Sequence, residues 1–377
     1  LCMASIDCEN CASHRAIAYA KKRIDNDKAL TLVDGLPDHP DIGKARILRN
    51  AAEHLDQCPL ADALDADGHT IELLPAAPRA LAFVEGRMLS AHQTLSWGNR
   101  EVETRDAAVL RATAQGDTLW AATQKSLTSG WSLTKNGHPS TSFPKEVRVA
   151  ELAADADGLV ALGSDFRGAS MQGWVLSRPS GPKDGWEKSL GAGRFLQGVL
   201  TPTQIVLAGT RKESLWLTSL DRATGVVQWA FVVEVGTGWS RPGELWLDGG
   251  TLHVLGEATR SGTPNAALYR LALTLDGTVQ DKQIVPSAWA TVSAAVHQGN
   301  NIVWVVGRDV AMGGSSREGP WVGALGRLIG RQIQWRRTAD CLPASVVTWD
   351  GESVWMGGEG HTSSRTGWQT SIRPIDF

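Results

Sequence analysis

Several classes of protein are excluded by what this 377-residue sequence lacks. No apolar run approaches the roughly 18 residues of a membrane-crossing helix. Neither charge sign dominates: 37 basic and 40 acidic residues leave a formal charge of -3, which gives nucleic acid or an anionic bilayer no reason to bind. No His-Glu-x-x-His, no Gly-x-Ser-x-Gly and no phosphate-cradling glycine loop with lysine occurs, so compact catalytic signatures are missing. Dispersed active sites built from several strands are not excluded by that absence. Tyr and Phe are scarce, at 2 and 6, whereas Trp is abundant at 16, a skew that asks for a structural reason. With 42% apolar residues the chain is neither disordered nor collagenous, and it reads as a soluble globular protein.

Composition divides the chain near residue 68. Ile17, Ala20 and Ile24, and then Ala45, Leu48, Ala52 and Leu55, follow helical spacing around a Gly/Pro-containing turn at 34–41. Residues 1–68 are therefore expected to form an N-terminal α-helical hairpin extension. Four of the five cysteines, Cys2, Cys8, Cys11 and Cys58, fall within it, and the fifth is Cys341. A disulfide from Cys8 or Cys11 to Cys58 would staple so small a hairpin, and one to Cys341 would lock it to the rest of the chain. Zinc held by Cys8, Cys11, His14 and Cys58 is the competing reading, with only half of the usual spacing, and free thiols are a third.

From 69 to 377 the texture is strand and turn. A turn, about five apolar residues and a small residue recur seven times, closing at Ala91, Thr123, Gly163, Gly209, Gly256, Gly307 and Gly357. The spacing of 32 to 51 residues is about that of a four-stranded propeller blade. A second phrase follows each copy, around Trp97, Trp131, Trp174, Trp216, Tyr269, Trp321 and Trp368, as a third strand. Trp186, Trp229 and Trp335 are placed at the close of fourth strands. The expected fold is all-β, a seven-bladed β-propeller of four-stranded blades. A strand at 69–74 would complete the last blade, which has no length left for its own fourth strand. A large flat indole filling the space between blades accounts for the Trp excess.

The segment 220–229, LDRATGVVQW, resembles the repeat of pyrroloquinoline-quinone dehydrogenases and related non-catalytic propellers. Residues 158–163 with Gly173-Trp174 and Gly185-Trp186 are similar to degenerate repeats of bacterial secreted and surface propellers. The resemblance covers about 79–377 and implies a propeller in an exported bacterial protein of the periplasm, outer surface or medium. No adjacent Cys pair exists, so no quinone cofactor is implied, nor any other. Trp-Asp and kelch signatures are missing from all but isolated positions.

Loops between second and third strands are long at 164–172, 257–266, 308–319 and 358–367 and should emerge on one face. They offer Arg167, Arg260, Arg308, Arg317 and Arg365, with Trp239 nearby, as a recognition face for an acidic or polyhydroxy partner. Solvated turns are the plainer reading. Asp155-Ala156-Asp157-Gly158 and its counterpart at 65–68 read as Asp-Gly turns, since the flanking positions lack calcium ligands. His253, inside an apolar strand, reads as a satisfied core imidazole.

These features favour a non-catalytic binding or assembly propeller that docks protein subunits through residues 1–68, or a surface polysaccharide. The alternative is a glycan-acting hydrolase or lyase with its site in the central channel. Carboxylates with raised pKa values converging on the channel would favour the enzyme, and an apolar plug the scaffold.

Overall fold

The computed structural model describes residues 72–74, 78, 80–91, 95–98, 100–102, 108–126, 128–180, 184–235, 239–259, 266–285, 291–299, 302–309, 322–330, 332–337, 344–359 and 367–373. The expected helical hairpin, all five cysteines and His14 lie outside them. The described residues form 28 strands, β1–β28 in chain order, in seven antiparallel four-stranded sheets. The described residues form an all-β, seven-bladed propeller of four-stranded blades.

Each blade begins with an inner strand: β2 (Ala80–Val84), β6 (Ala108–Gln115), β10 (Val147–Asp155), β14 (Arg194–Leu200), β18 (Ser240–Asp248), β22 (Thr291–Gly299) and β26 (Ala344–Trp349). These strands pack side by side all the way round, β26 returning to β2, where Phe83 N–H donates to Thr348 Oγ1 at 3.0 Å. Closure comes from β1 (Glu72–Leu74), which pairs with β28 (Gly367–Ile372) and so supplies the fourth strand of the last blade.

The seven recurrent apolar phrases are second strands: β3 (Arg87–Ala91), β7 (Thr118–Gln124), β11 (Gly158–Asp165), β15 (Gln204–Arg211), β19 (Thr251–Thr259), β23 (Ile302–Asp309) and β27 (Val354–Glu359). They read as continuous apolar runs because both faces are covered. Ile205 and Leu207 face the third blade, whereas Val206 and Ala208 face the fifth. The core is accordingly divided into clusters that each lie between two neighbouring blades, as where Trp131 and Phe143 of the second meet Trp174 of the third.

The small closing residue has a specific cause. Six inner strands carry a β-bulge, and a small residue of the second strand sits opposite its start: Val109 faces Thr123, Val149 faces Gly163, Phe195 faces Gly209, Pro242 faces Gly256 and Val292 faces Gly307. In the last blade the equivalent residue is Gly358, one beyond the expected Gly357, opposite Ala344. A Cβ on Gly163 or Gly209 would lie 1.9 Å from the carbonyl oxygen of Arg148 or Arg194. Only glycine admits that approach of two backbones.

Two expectations about tryptophan shift. Trp186 opens β13 (Trp186–Ala192) and Trp229 stands third in β17 (Val227–Val233), so these indoles mark the start of fourth strands. Each reaches the next blade: Trp186 Nε1 donates to Arg222 O at 3.0 Å and Trp229 Nε1 to Leu275 O at 2.9 Å, against turns containing Gly225 and Gly277.

Candidate functional site

Connections between blades and loops between second and third strands share one face. Phe166 N–H donates to Glu146 O at 2.9 Å, and Gly193 N–H to Met171 O at 3.1 Å, which ties the two kinds of loop together. Arg167 lies there, but its guanidinium is engaged by Asp165 and Glu187, each at 2.9 Å. Hydrogen bonds from Arg167 and then from Ser189 hold the Asp165 carboxyl down at about 2. Trp239 is exposed on the same face, in the connection leading into β18. Arg308 falls inside β23, its backbone paired with Thr291 and Gly323, and not in the loop where the sequence placed it. Arg260, Arg317 and Arg365 lie outside the described residues.

Three arginines that the repeat phrases did not reach occupy one equivalent position. Arg148, Arg194 and Arg241 each stand fifteen residues before the closing glycine of the third, fourth and fifth blades. Each is the residue whose carbonyl crowds that glycine. All three side chains are exposed, and none forms an ion pair with a described residue. The Arg148 guanidinium sits 4.8 Å from the ring centre of exposed Phe166, and Arg194 Nε donates to Thr210 Oγ1 at 3.1 Å. Burial and the neighbouring charge of Arg241 both lower the pKa of Arg194, so these two cations lie within electrostatic reach on adjacent blades.

Arg241 also marks the wall of the central channel, a cavity of about 620 Å³ lined by the inner strands. The residue just past the bulge enters this wall as Arg111, Glu151, Gln197 and Glu244 in four consecutive blades. Each lies twelve residues before the closing small residue, a spacing that could have flagged a polar side chain in an otherwise apolar strand. Arg111 is turned to backbone, donating to the carbonyls of Leu110, at 2.6 Å, and Ala150. Glu151 accepts the N–H of Gly198 from the next blade at 2.7 Å, yet burial pushes its carboxyl up to about 8. Glu244 is raised well above its ordinary value by burial and then by the charge of Glu151. Behind them Glu257 is buried on β19, accepts Val292 N–H at 2.5 Å and is pushed up to about 7, chiefly by burial.

The channel wall thus sets these polar side chains among small apolar ones, with no aromatic side chain among its described lining residues. No group of three or more His, Cys, Asp or Glu placed to hold a metal ion occurs among the described residues. No helix among them is long and apolar enough to cross a membrane.

On the opposite face Asp155 pairs with Arg222 of the next blade, and Asp157 N–H closes the turn on Asp155 Oδ1 at 3.0 Å, as an Asp-Gly turn should. His253 departs from expectation. Its ring stacks on Trp246 at 5.1 Å, His297 of the sixth blade stacks on that same indole at 5.0 Å, and His253 Nδ1 is buried without a hydrogen-bond partner among the described residues.

No protein-family model matches the chain, and no curated protein matches it. Among solved structures, the Cps50 (Swd1) β-propeller domain of Myceliophteria thermophila superposes with a TM-score of 0.55 at 10% identity, over 80% of this chain and 100% of that one. The WD40 domain of Toxoplasma gondii coronin gives 0.48 at 11% identity, over 81% and 86% of the two chains. The likeness to the first is one of fold; the bacterial and quinoprotein-like resemblance of single repeats gains nothing from it.

Proposed function

We propose that this propeller is a non-catalytic binding or assembly protein that takes an acidic segment of a protein partner on its loop face. The observation that carries this reading is the arc of Arg148, Arg194 and Arg241, repeated at one position in three consecutive blades, exposed and without an ion pair to any described residue. Guanidinium groups suit bidentate capture of carboxylates, and Phe166 and Trp239 add apolar area beside them. Residues 1–68 are the proposed second docking element, and export to the periplasm or cell surface is the proposed setting. Poly-L-glutamate is a direct probe: wild-type protein should bind it with salt-dependent affinity, and R148A/R194A/R241A should weaken binding at least about tenfold. Equal binding by the triple variant would sink the reading.

A glycan-acting enzyme remains the second reading, favoured by the channel carboxyls Glu151 and Glu244. Against it, one oxygen of Glu151 is committed to Gly198 N–H, and the described channel wall has no aromatic platform for a sugar ring.

A further inference from the structure

We infer that a cavity between the second and third blades, on the loop face, receives one bulky apolar side chain of the acidic partner segment, while Arg148 and Lys145 beside it take the flanking carboxylates. This deepens the loop-face reading and rests on it. The cavity measures about 560 Å³, within the usual range for ligand pockets. Trp131 of β8 (Trp131–Lys135) and Val147 line it as buried residues, Leu110 and Val149 as partly buried ones, and Phe166 stands 37% exposed. Its walls are fixed before any ligand arrives. Trp131 Nε1 donates to Val147 O at 2.8 Å, Phe166 N–H to Glu146 O at 2.9 Å and Val147 N–H to Pro144 O at 3.1 Å.

The chemistry of the occupant follows from the lining. The Arg148 guanidinium lies 4.8 Å from the ring centre of Phe166, which sets a cation against exposed apolar surface. Lys145 is exposed as well, and neither cation forms an ion pair with a described residue. Glu146 is the single carboxylate among the described lining residues, so two cations outweigh one anion. A purely apolar segment would leave those cations unmatched, and a purely acidic one would leave the apolar walls wet. A bulky apolar residue between carboxylates satisfies both, the first as a buried anchor and the second by charge-assisted hydrogen bonds to Arg148. The pocket also sets a register. Phe166 stands three residues past Gly163, where the fourth and fifth blades carry Lys212 and Thr259, so the arginines recur over three blades but the apolar anchor belongs to one blade boundary.

Isothermal titration with three peptides tests the proposal: Glu-Glu-Glu-Phe-Glu-Glu-Glu, the same peptide with Ala in place of Phe, and Ser-Ser-Ser-Phe-Ser-Ser-Ser. Wild-type protein should bind the first at least about tenfold more tightly than either of the others, as burial of one phenyl ring and matched charge require. F166A should shrink the preference for Phe over Ala to within about threefold. R194A/R241A, whose residues do not line the cavity, should weaken both acidic peptides together and keep their ratio. Equal binding of the Phe and Ala peptides by wild-type protein would overturn the pocket and leave the loop-face reading standing, whereas failure of all three peptides and of poly-L-glutamate would overturn both. A serine peptide that binds as tightly as the acidic one, or an F166A variant that keeps the full preference, would also overturn it. Self-association of the wild type that F166A abolishes in sedimentation would assign the cavity to a second copy of the chain, against the proposal. Far-UV circular dichroism and melting of F166A separate loss of fold from loss of the pocket.

Discussion

Glu151 Oε2 accepts the backbone N–H of Gly198 at 2.7 Å across the boundary between the third and fourth blades. The partner is itself constrained, since a Cβ at 198 would lie 2.4 Å from Leu162 Cδ2. E151A should leave that N–H unpaired and cost about 1–3 kcal/mol in urea unfolding, whereas E151Q keeps an acceptor and should cost less. The carboxyl titrates at about 8 in the fold against 4.5 for the ordinary group. Its contribution is thus fully present below pH 4.5 and declines as pH rises toward 8, so E151Q should flatten the alkaline loss of stability.

The closing glycines should tolerate no side chain. Gly163→Ala and Gly209→Ala drive a methyl into a backbone carbonyl that cannot swing away, and each should cost at least about 2 kcal/mol or yield insoluble protein. Gly116→Ala, at a turn with open space around it, should cost less despite its positive φ. Thermal melting of the three variants side by side checks the ranking.

The two imidazoles on either face of Trp246 should make the fold acid-sensitive. Burial, followed by the charge of Arg270, lowers the pKa of His253; burial also leads the lowering at His297. A base held neutral in the fold contributes stability above its unfolded value of 6.5 that is lost as pH falls below it. The melting temperature should drop by a few degrees between pH 7 and pH 5, and His253→Phe with His297→Phe should reduce the slope. An unchanged slope in the double variant would show that these rings do not carry the effect.

Trp186 and Trp229 should behave alike, because each spans from its own fourth strand to the turn of the next blade. Trp186→Phe keeps most of the ring area and removes the bond to Arg222 O, for a loss of about 0.5–1.5 kcal/mol. Trp186→Ala should cost about 3–5 kcal/mol at most, less to the extent that the half-buried ring is wetted. Denaturant midpoints of the two variants distinguish the hydrogen bond from the packing.

Local pattern determined the architecture. Turn residues, continuous apolar runs and the small residue that ends each run marked the seven second strands, and the shortfall in the last blade pointed to the strand that closes the ring through Glu72–Leu74. Tertiary structure decided the site. A bulge shifts the pairing by one residue, which carries Glu151 and Glu244 to the channel wall although they interrupt runs that read as ordinary strand. Ring closure then brings side chains from β10 and β18, separated by a whole blade in sequence, within reach of each other's charge. Within the third blade Arg167 is tied to Asp165 and Glu187, whereas Arg148, Arg194 and Arg241 form no ion pair with a described residue. Strand formation depends on neighbours in sequence, but whether a charge is paired, buried or free depends on neighbours in space, and those are fixed only when the blades have closed.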